Sequence, residues 1–238
     1  MVAAQAFLET RLLLRNGEQV LLLIVIPSLL LVVVTTVPLV DLGPGPRIDA
    51  LTPGLIALAV MATAFTGQAI ATGYERRYGA LKLLGASPLP RWGLLAGKTG
   101  SVLAVETAQV ALLAAIAAAL GWSPHGSPAA VVTLLVAATA AFSALGLLMA
   151  GTLRAEATLA AANLVFVLLL VFGGVVAPLE HFPAALRPVL EALPTAALAE
   201  GLQAVLERGE ALPWGSVGIL AAWAVAAGTA ATATFRWE

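Results

Sequence analysis

The chain has 238 residues, of which 61% are hydrophobic and only 11% charged, with a net charge of −1 and no cysteine. Soluble domains carry about 25% charged residues, so this composition, with a mean hydropathy of +0.99, excludes an ordinary globular domain. The near-zero net charge gives no footprint for nucleic acid, and the lack of cysteine excludes disulfide, thiol and cysteine–metal chemistry without revealing the compartment.

In chain order, Ala3–Asn16 comes first. Ala3, Ala6, Phe7, Leu13 and Leu14 fall on one side at helical spacing while Glu9, Arg11 and Arg15 stay polar. That pattern predicts a helix lying in the membrane interface, a frayed basic leader being the plainer alternative. Six apolar blocks follow that reach the roughly 20 residues of a bilayer-crossing helix: Val20–Val40, Leu55–Tyr74, Leu94–Leu120, Ala129–Leu153, Ala157–Ala177 and Trp214–Phe235. The first is too long for a signal-peptide core and is followed by no A-x-A site, so it predicts a retained anchor. Joints at Asp41–Asp49, Glu75–Arg91, Gly121–Pro128, Arg154–Glu156 and Leu179–Pro213 separate the blocks. Little chain is left for a separate catalytic domain.

The last joint is unusual. Pro183 suits the first turn of a short helix carrying Leu186, Val189, Leu190 and Leu193. Pro194 interrupts it, and a second amphipathic helix follows with Leu198, Leu202, Val205 and Leu206 on one face, away from Glu200, Gln203 and Glu207. Neither is long enough to cross a bilayer. Residues 179–213 therefore predict a re-entrant or interfacial hairpin, or else a small extracellular cap.

Basic residues set the orientation. With the N-terminus in the cytoplasm, Arg11, Arg15, Arg76, Arg77, Lys82, Arg91, Lys98, Arg154 and Arg236 lie inside and only Arg47, Arg187 and Arg208 outside, as the positive-inside rule requires. Tyr74, Tyr78, Trp92 and Trp237 mark the inner interface, and Trp122 and Trp214 the outer. The reading is an all-α polytopic protein of the cytoplasmic membrane. It forms a single domain over residues 1–238, with six spans and both termini inside.

The richest stretch is the inward loop that begins Glu75-Arg-Arg-Tyr-Gly-Ala-Leu-Lys-Leu-Leu and ends at Lys98. On a helix, Ala80, Leu81, Leu83 and Leu84 share one side while Glu75, Gly79 and Lys82 share the other. Ser87-Pro88-Leu89-Pro90 forces a turn, and Arg91-Trp92 opens the next span. A docking helix over Glu75–Gly85 and a surface float on lipid are equally compatible with these residues. The pattern E-R-R-x-G-x-L-K-x-L-x-A-S-P-L-x-R-W-x-L-L-x-G-K closely resembles the membrane subunits of ABC-2 type exporters. The likeness extends to the N-terminal interfacial helix, the six spans and the hairpin before the last one. It implies that 75–91 is a coupling loop pressed by a nucleotide-binding subunit. By matching position, Glu75, Arg76, Arg77, Gly79, Leu81, Lys82 and Leu84 take that role. Arg76 and Arg77 would donate charge-assisted hydrogen bonds to the ATPase, Leu81 and Leu84 would fill an apolar cleft, and Gly79 would permit close approach. The resemblance also implies a second permease copy forming a homodimer, surrounding membrane lipid, and an amphipathic drug- or lipid-like substrate moved outward.

No ATP site of its own is expected. Gly93-Leu-Leu-Ala-Gly97-Lys98-Thr99 imitates a phosphate loop, but that motif needs four residues between the first Gly and the Gly-Lys pair, where three occur here, and a preceding strand. Lys98 reads instead as a snorkelling anchor. The chain is thus expected to be no enzyme and to bind no cofactor, with ATP-Mg on the partner subunit. Gln68, Glu106, Gln109 and Asn163 are polar at membrane depth and are candidates for the translocation path. Glu106 meets a cationic substrate in one reading and pairs with a neighbouring helix in the other. Gly146–Gly151 and Gly173-Gly174 suit close helix packing. Gly173-Gly174 ahead of Pro178 is a flexible exit or a plain helix end. A stand-alone secondary transporter or channel would show inverted repeats and several buried ionisable groups. A haem-exporter-like assembly subunit would give His125 and His181 a role.

Overall fold

A computed structural model describes residues 2–15, 17–37, 46–80, 91–175 and 179–234. Every regular element among them is helical. In order these are α1 (Val2–Arg15), α2 (Gly17–Thr36), α3 (Arg47–Met61), a π-helical turn (Ala62–Gly67), α4 (Gln68–Arg77), α5 (Arg91–Ala119), α6 (Pro128–Thr152) and α7 (Ala155–Phe172). A 3-10 turn (Leu179–His181), α8 (Arg187–Glu191), α9 (Pro194–Leu206) and α10 (Trp214–Thr234) complete the chain. Among the described residues five helical runs are long and apolar enough to cross a membrane: Arg47–Arg77, Trp92–Ala119, Pro128–Thr152, Ala155–Phe172 and Trp214–Thr234. The first predicted span falls on α2, whose described apolar stretch is the shorter Leu23–Thr36; residues 38–40 of that span lie outside the described residues. The chain is a multi-pass helical membrane protein.

The second span differs from its prediction over Leu55–Tyr74. Helix begins directly after the extended Pro46 and runs 31 residues to Arg77, about 46 Å at 1.5 Å per residue. Arg47 and Asp49, predicted as part of a joint, form its first turn. Asp49 suits the positive end of the helix dipole, and its carboxylate accepts the Ser123 amide at 3.2 Å. The middle of the run widens into the π turn. Gly146 of α6 packs against that turn: a Cβ there would stand 2.7 Å from the Phe65 carbonyl oxygen and 3.3 Å from the Ala69 nitrogen. The small-residue prediction for the fourth span thus has a concrete use. α6 also pairs along its length with α10.

The long joint after α7 folds differently from its prediction in its first half. Pro183 does not open a helix; α8 starts only at Arg187, with Pro188 in its first turn, and is 5 residues long. Of the predicted stripe, Leu190 is buried whereas Leu186 and Val189 are exposed. The second half folds as predicted. Pro194 opens α9, and Leu198, Leu202, Val205 and Leu206 are all buried, packed against α3, α6 and α10. At 13 residues, about 20 Å, α9 is too short to cross a bilayer. Gly173 ends α7, as the helix-end alternative for Gly173-Gly174 has it, and a Cβ there would meet Thr195 of α9 at 2.6 Å. Pro178 lies outside the described residues. Trp122, expected to mark the outer interface, is packed against the protein and is 8% exposed. Just before it Gly121, with a φ of +95°, takes the left-handed conformation common after a helix end and turns the chain after α5.

Candidate functional site

The basic helix ends gather at one end of the bundle, and the Glu75-Arg76-Arg77 triplet is their junction. Each of its side chains reaches a different helix. Glu75 Oε2 accepts from Lys98 Nζ on α5 at 2.6 Å, and the same ammonium lies 3.0 Å from Glu9 Oε1 on α1. Gln5 Nε2 donates to that Glu9 oxygen at 2.8 Å. Arg76 Nη1 donates to the Ala150 carbonyl at 2.8 Å, one of the last carbonyls of α6, which have no partner within their own helix. Arg77 Nη1 pairs with Glu156 Oε1 at 2.7 Å, in the first turn of α7. Three consecutive residues therefore tie the end of the second span to α1, α5, α6 and α7.

Three sequence expectations change here. Lys98 is no snorkelling anchor: its side chain is 2% exposed and held between two carboxylates. A lysine this buried requires such partners. Glu9 faces α5 rather than water, and Gln5 is buried beside it, while Phe7, Leu8 and Leu12 are exposed. Of the predicted apolar face, Phe7 is exposed while Ala6 lies against Gly100 of α5; Arg11 and Arg15 are exposed as well, and the side chains of Ala3, Leu13 and Leu14 lie outside the described residues. Finally, Glu75–Gly85 is not one helix. α4 carries the second span through Arg77 and stops at Gly79, whose φ is +77°. Its positive φ is the left-handed conformation that glycine adopts without strain, and no described atom of this chain lies within 4 Å of a Cβ built there. Arg76 and Arg77 find their partners within this chain. Leu81, Lys82 and Leu84 lie outside the described residues. Tyr74 and Tyr78 stack with ring centroids 6.2 Å apart, and Tyr78 is 78% exposed beside the turn.

The four polar candidates at membrane depth do not form one group. Gln109 joins three helices: its Oε1 accepts from Thr63 Oγ1 in the π turn at 3.0 Å, and its Nε2 donates to the Leu23 carbonyl of α2 at 2.5 Å. Glu106, one turn earlier, reaches a different helix and accepts from the Thr139 hydroxyl of α6. Its Oε1 has no hydrogen-bond partner among the described residues. Gln68 is buried next to the π turn with its Nε2 likewise unsatisfied, as are the hydroxyls of Thr66, Thr72 and Ser143. Asn163 lies on the exposed side of α7. Thr63 and Thr139 were invisible as partners, since threonine in an apolar helix usually bonds its own backbone. No cluster of His, Asp or Glu able to hold a metal occurs among the described residues.

Residues Gly93–Thr99 lie within the helix α5, so the sequence that imitates a phosphate loop has helical geometry with its lysine in the ion pair described above. No curated protein matches the chain. The family model for the ABC-2 type transporter matches residues 6–206, from α1 through the last residue of α9. The chain belongs to the ABC-2 type transporter family, as a membrane permease of an ABC-type transporter.

Proposed function

We propose that the chain is one half of a homodimeric exporter driven by two separate ATPase subunits, moving an amphipathic drug- or lipid-like substrate out of the cytoplasm. The observation that carries this reading is the junction at Glu75-Arg76-Arg77, immediately ahead of the Gly79 turn. Family members generally pair with an ABC ATPase, and the loop that follows Gly79 is the docking segment. Leu81, Lys82 and Leu84 contact the ATPase, while Glu75, Arg76 and Arg77 pass its movement into α1, α5, α6 and α7. Six apolar helices make one wall of a conduit for a bulky substrate, and two copies complete it. The buried ion pairs suit a rigid link, because displacing any one member strands a charge. ATP-driven closure of the two ATPases then tilts the attached spans between two states with different contacts.

Co-expression with candidate ATPases tests this. Leu81→Ala together with Leu84→Ala is expected to abolish co-purification, and Glu75→Gln to keep the complex but lower the coupled ATPase rate. Unchanged assembly in the double variant would remove the docking assignment. Failure of every candidate ATPase to associate with the unaltered chain would remove the exporter reading.

A further inference from the structure

A cavity of about 440 Å³ lies between α5 and α6, closed at one end by the reversed loop that carries Trp122. Its volume falls within the range of roughly 300–1,000 Å³ that holds drug-sized ligands. The walls are apolar, including Val60, Val110, Val131, Leu135 and Leu206. One charged residue lines it, Glu106, which is 3% exposed.

The hydrogen bonding of that carboxylate is incomplete. Oε1 has no partner among the described residues. Oε2 accepts from Thr139 Oγ1, but the same hydroxyl lies 2.7 Å from the Leu135 carbonyl, and a hydroxyl has only one proton to donate. The carboxylate therefore relies on a single shared donor at a depth where an isolated charge is costly. The neighbouring cation, Lys98, lies two turns back along α5 and is held by Glu9 and Glu75. At the closed end Trp122 also lines the cavity, and its buried Nε1 has no partner among the described residues. On the open side Thr107, Ala111, Val132 and Val136 are exposed, so the cavity opens sideways between α5 and α6 rather than along the bundle axis. A molecule dissolved in the bilayer reaches it without crossing water.

We infer that this cavity binds a cationic amphiphile, with Glu106 as counter-charge and the apolar walls holding the hydrophobic body. The assignment rests on the exporter reading for its role in transport, but not for binding itself. The occupant completes what the fold leaves open: a positive or strongly donating group for Glu106 and an apolar body for the valine and leucine walls.

The test uses the full-length chain in lipid nanodiscs, without any ATPase, and tetraphenylphosphonium as probe. Triphenylphosphine oxide, neutral and of similar shape, is the control. Isothermal titration is expected to show the cation binding more tightly than the neutral control. Glu106→Gln keeps an acceptor for Thr139 and should weaken the cation by at least about tenfold while changing the control less than about twofold. Glu106→Asp should retain the preference for the cation. Val136→Trp at the cavity mouth should weaken both probes. Equal binding of the two probes to the unaltered chain, or cation binding unchanged in Glu106→Gln, would overturn the charge assignment. Undiminished binding of both in Val136→Trp would overturn the location. A chain that binds the cation but stimulates no ATPase counts against the exporter reading alone, and one that stimulates an ATPase but binds no cation counts against this site alone.

Discussion

The charged end of the bundle and its middle treat polar groups in opposite ways. At the charged end, Glu9, Glu75, Arg76, Arg77, Lys98 and Glu156 all meet partners within 3.0 Å. In the middle, Glu106, Gln68, Thr66 and Ser143 each leave a buried polar atom unsatisfied. Water is absent from the bilayer core, so the unsatisfied groups should be the rarer ones there. Their concentration around the π turn and the α5–α6 cavity marks the part of the fold where a ligand or a second arrangement of helices has something to gain. The charged end has nothing comparable to gain from rearranging.

The largest expected effect breaks the charged end. Lys98→Met leaves Glu9 and Glu75 facing each other without their cation, which should destabilise the fold by about 3–5 kcal/mol. Thermal unfolding in a mild detergent checks this. Adding Glu9→Gln and Glu75→Gln to the same variant should recover much of the loss, because a buried pair removed whole is far less damaging than one cut in half. A triple variant no better than the single one would mean that the lysine's packing, not its charge, holds the junction. A smaller effect is expected in the middle. Gly146→Ala forces its new methyl against the Phe65 carbonyl, 2.7 Å away, and should cost about 1–3 kcal/mol as α6 and the π turn separate. The alternative outcome, an unchanged unfolding temperature, would show that the π turn relaxes freely into an ordinary helix.

The difference between the two regions also explains what was legible in the sequence. The apolar blocks at α5, α6, α7 and α10 were readable because length and hydropathy alone dictate them, and α9 was readable because Pro194 and a clean apolar stripe agree. The second span was misjudged at its start, since Arg47 and Asp49 look like loop residues until a dipole and Ser123 give them a place in a first turn. Glu75 was visible as a charged residue at a span end. Its partner Lys98 carries no such mark, because a separation of 23 positions along the chain holds no signal of which charges will meet. Glu9 is legible only as a polar residue of α1; that it meets Lys98 of α5 has no signature in the sequence for the same reason. The orphaned atoms of the middle were beyond sequence altogether, because they are defined by the partners that neighbouring helices fail to supply. Leu81, Lys82 and Leu84 rest on the family motif and lie outside the described residues.

The smallest expected effect sharpens the comparison from inside the charged end. Arg77 and Glu156 pair at 2.7 Å, yet their side chains are 51% and 67% exposed, unlike the buried lysine two helices away. An exposed ion pair contributes about 0–1 kcal/mol and weakens as salt shortens the Debye length. Arg77→Ala should therefore shift unfolding only slightly, and raising salt from about 0.1 to 1 M should remove what difference there is. Lys98→Met should keep its deficit at both salt concentrations, since its partners are screened by protein rather than by ions. The two variants thus separate burial from proximity as the source of strength in a junction where every contact is short. Were Arg77→Ala as damaging as Lys98→Met, the hold of α4 on α7 would lie in the guanidinium's position against the helix terminus, and the junction would be rigid through geometry rather than through burial.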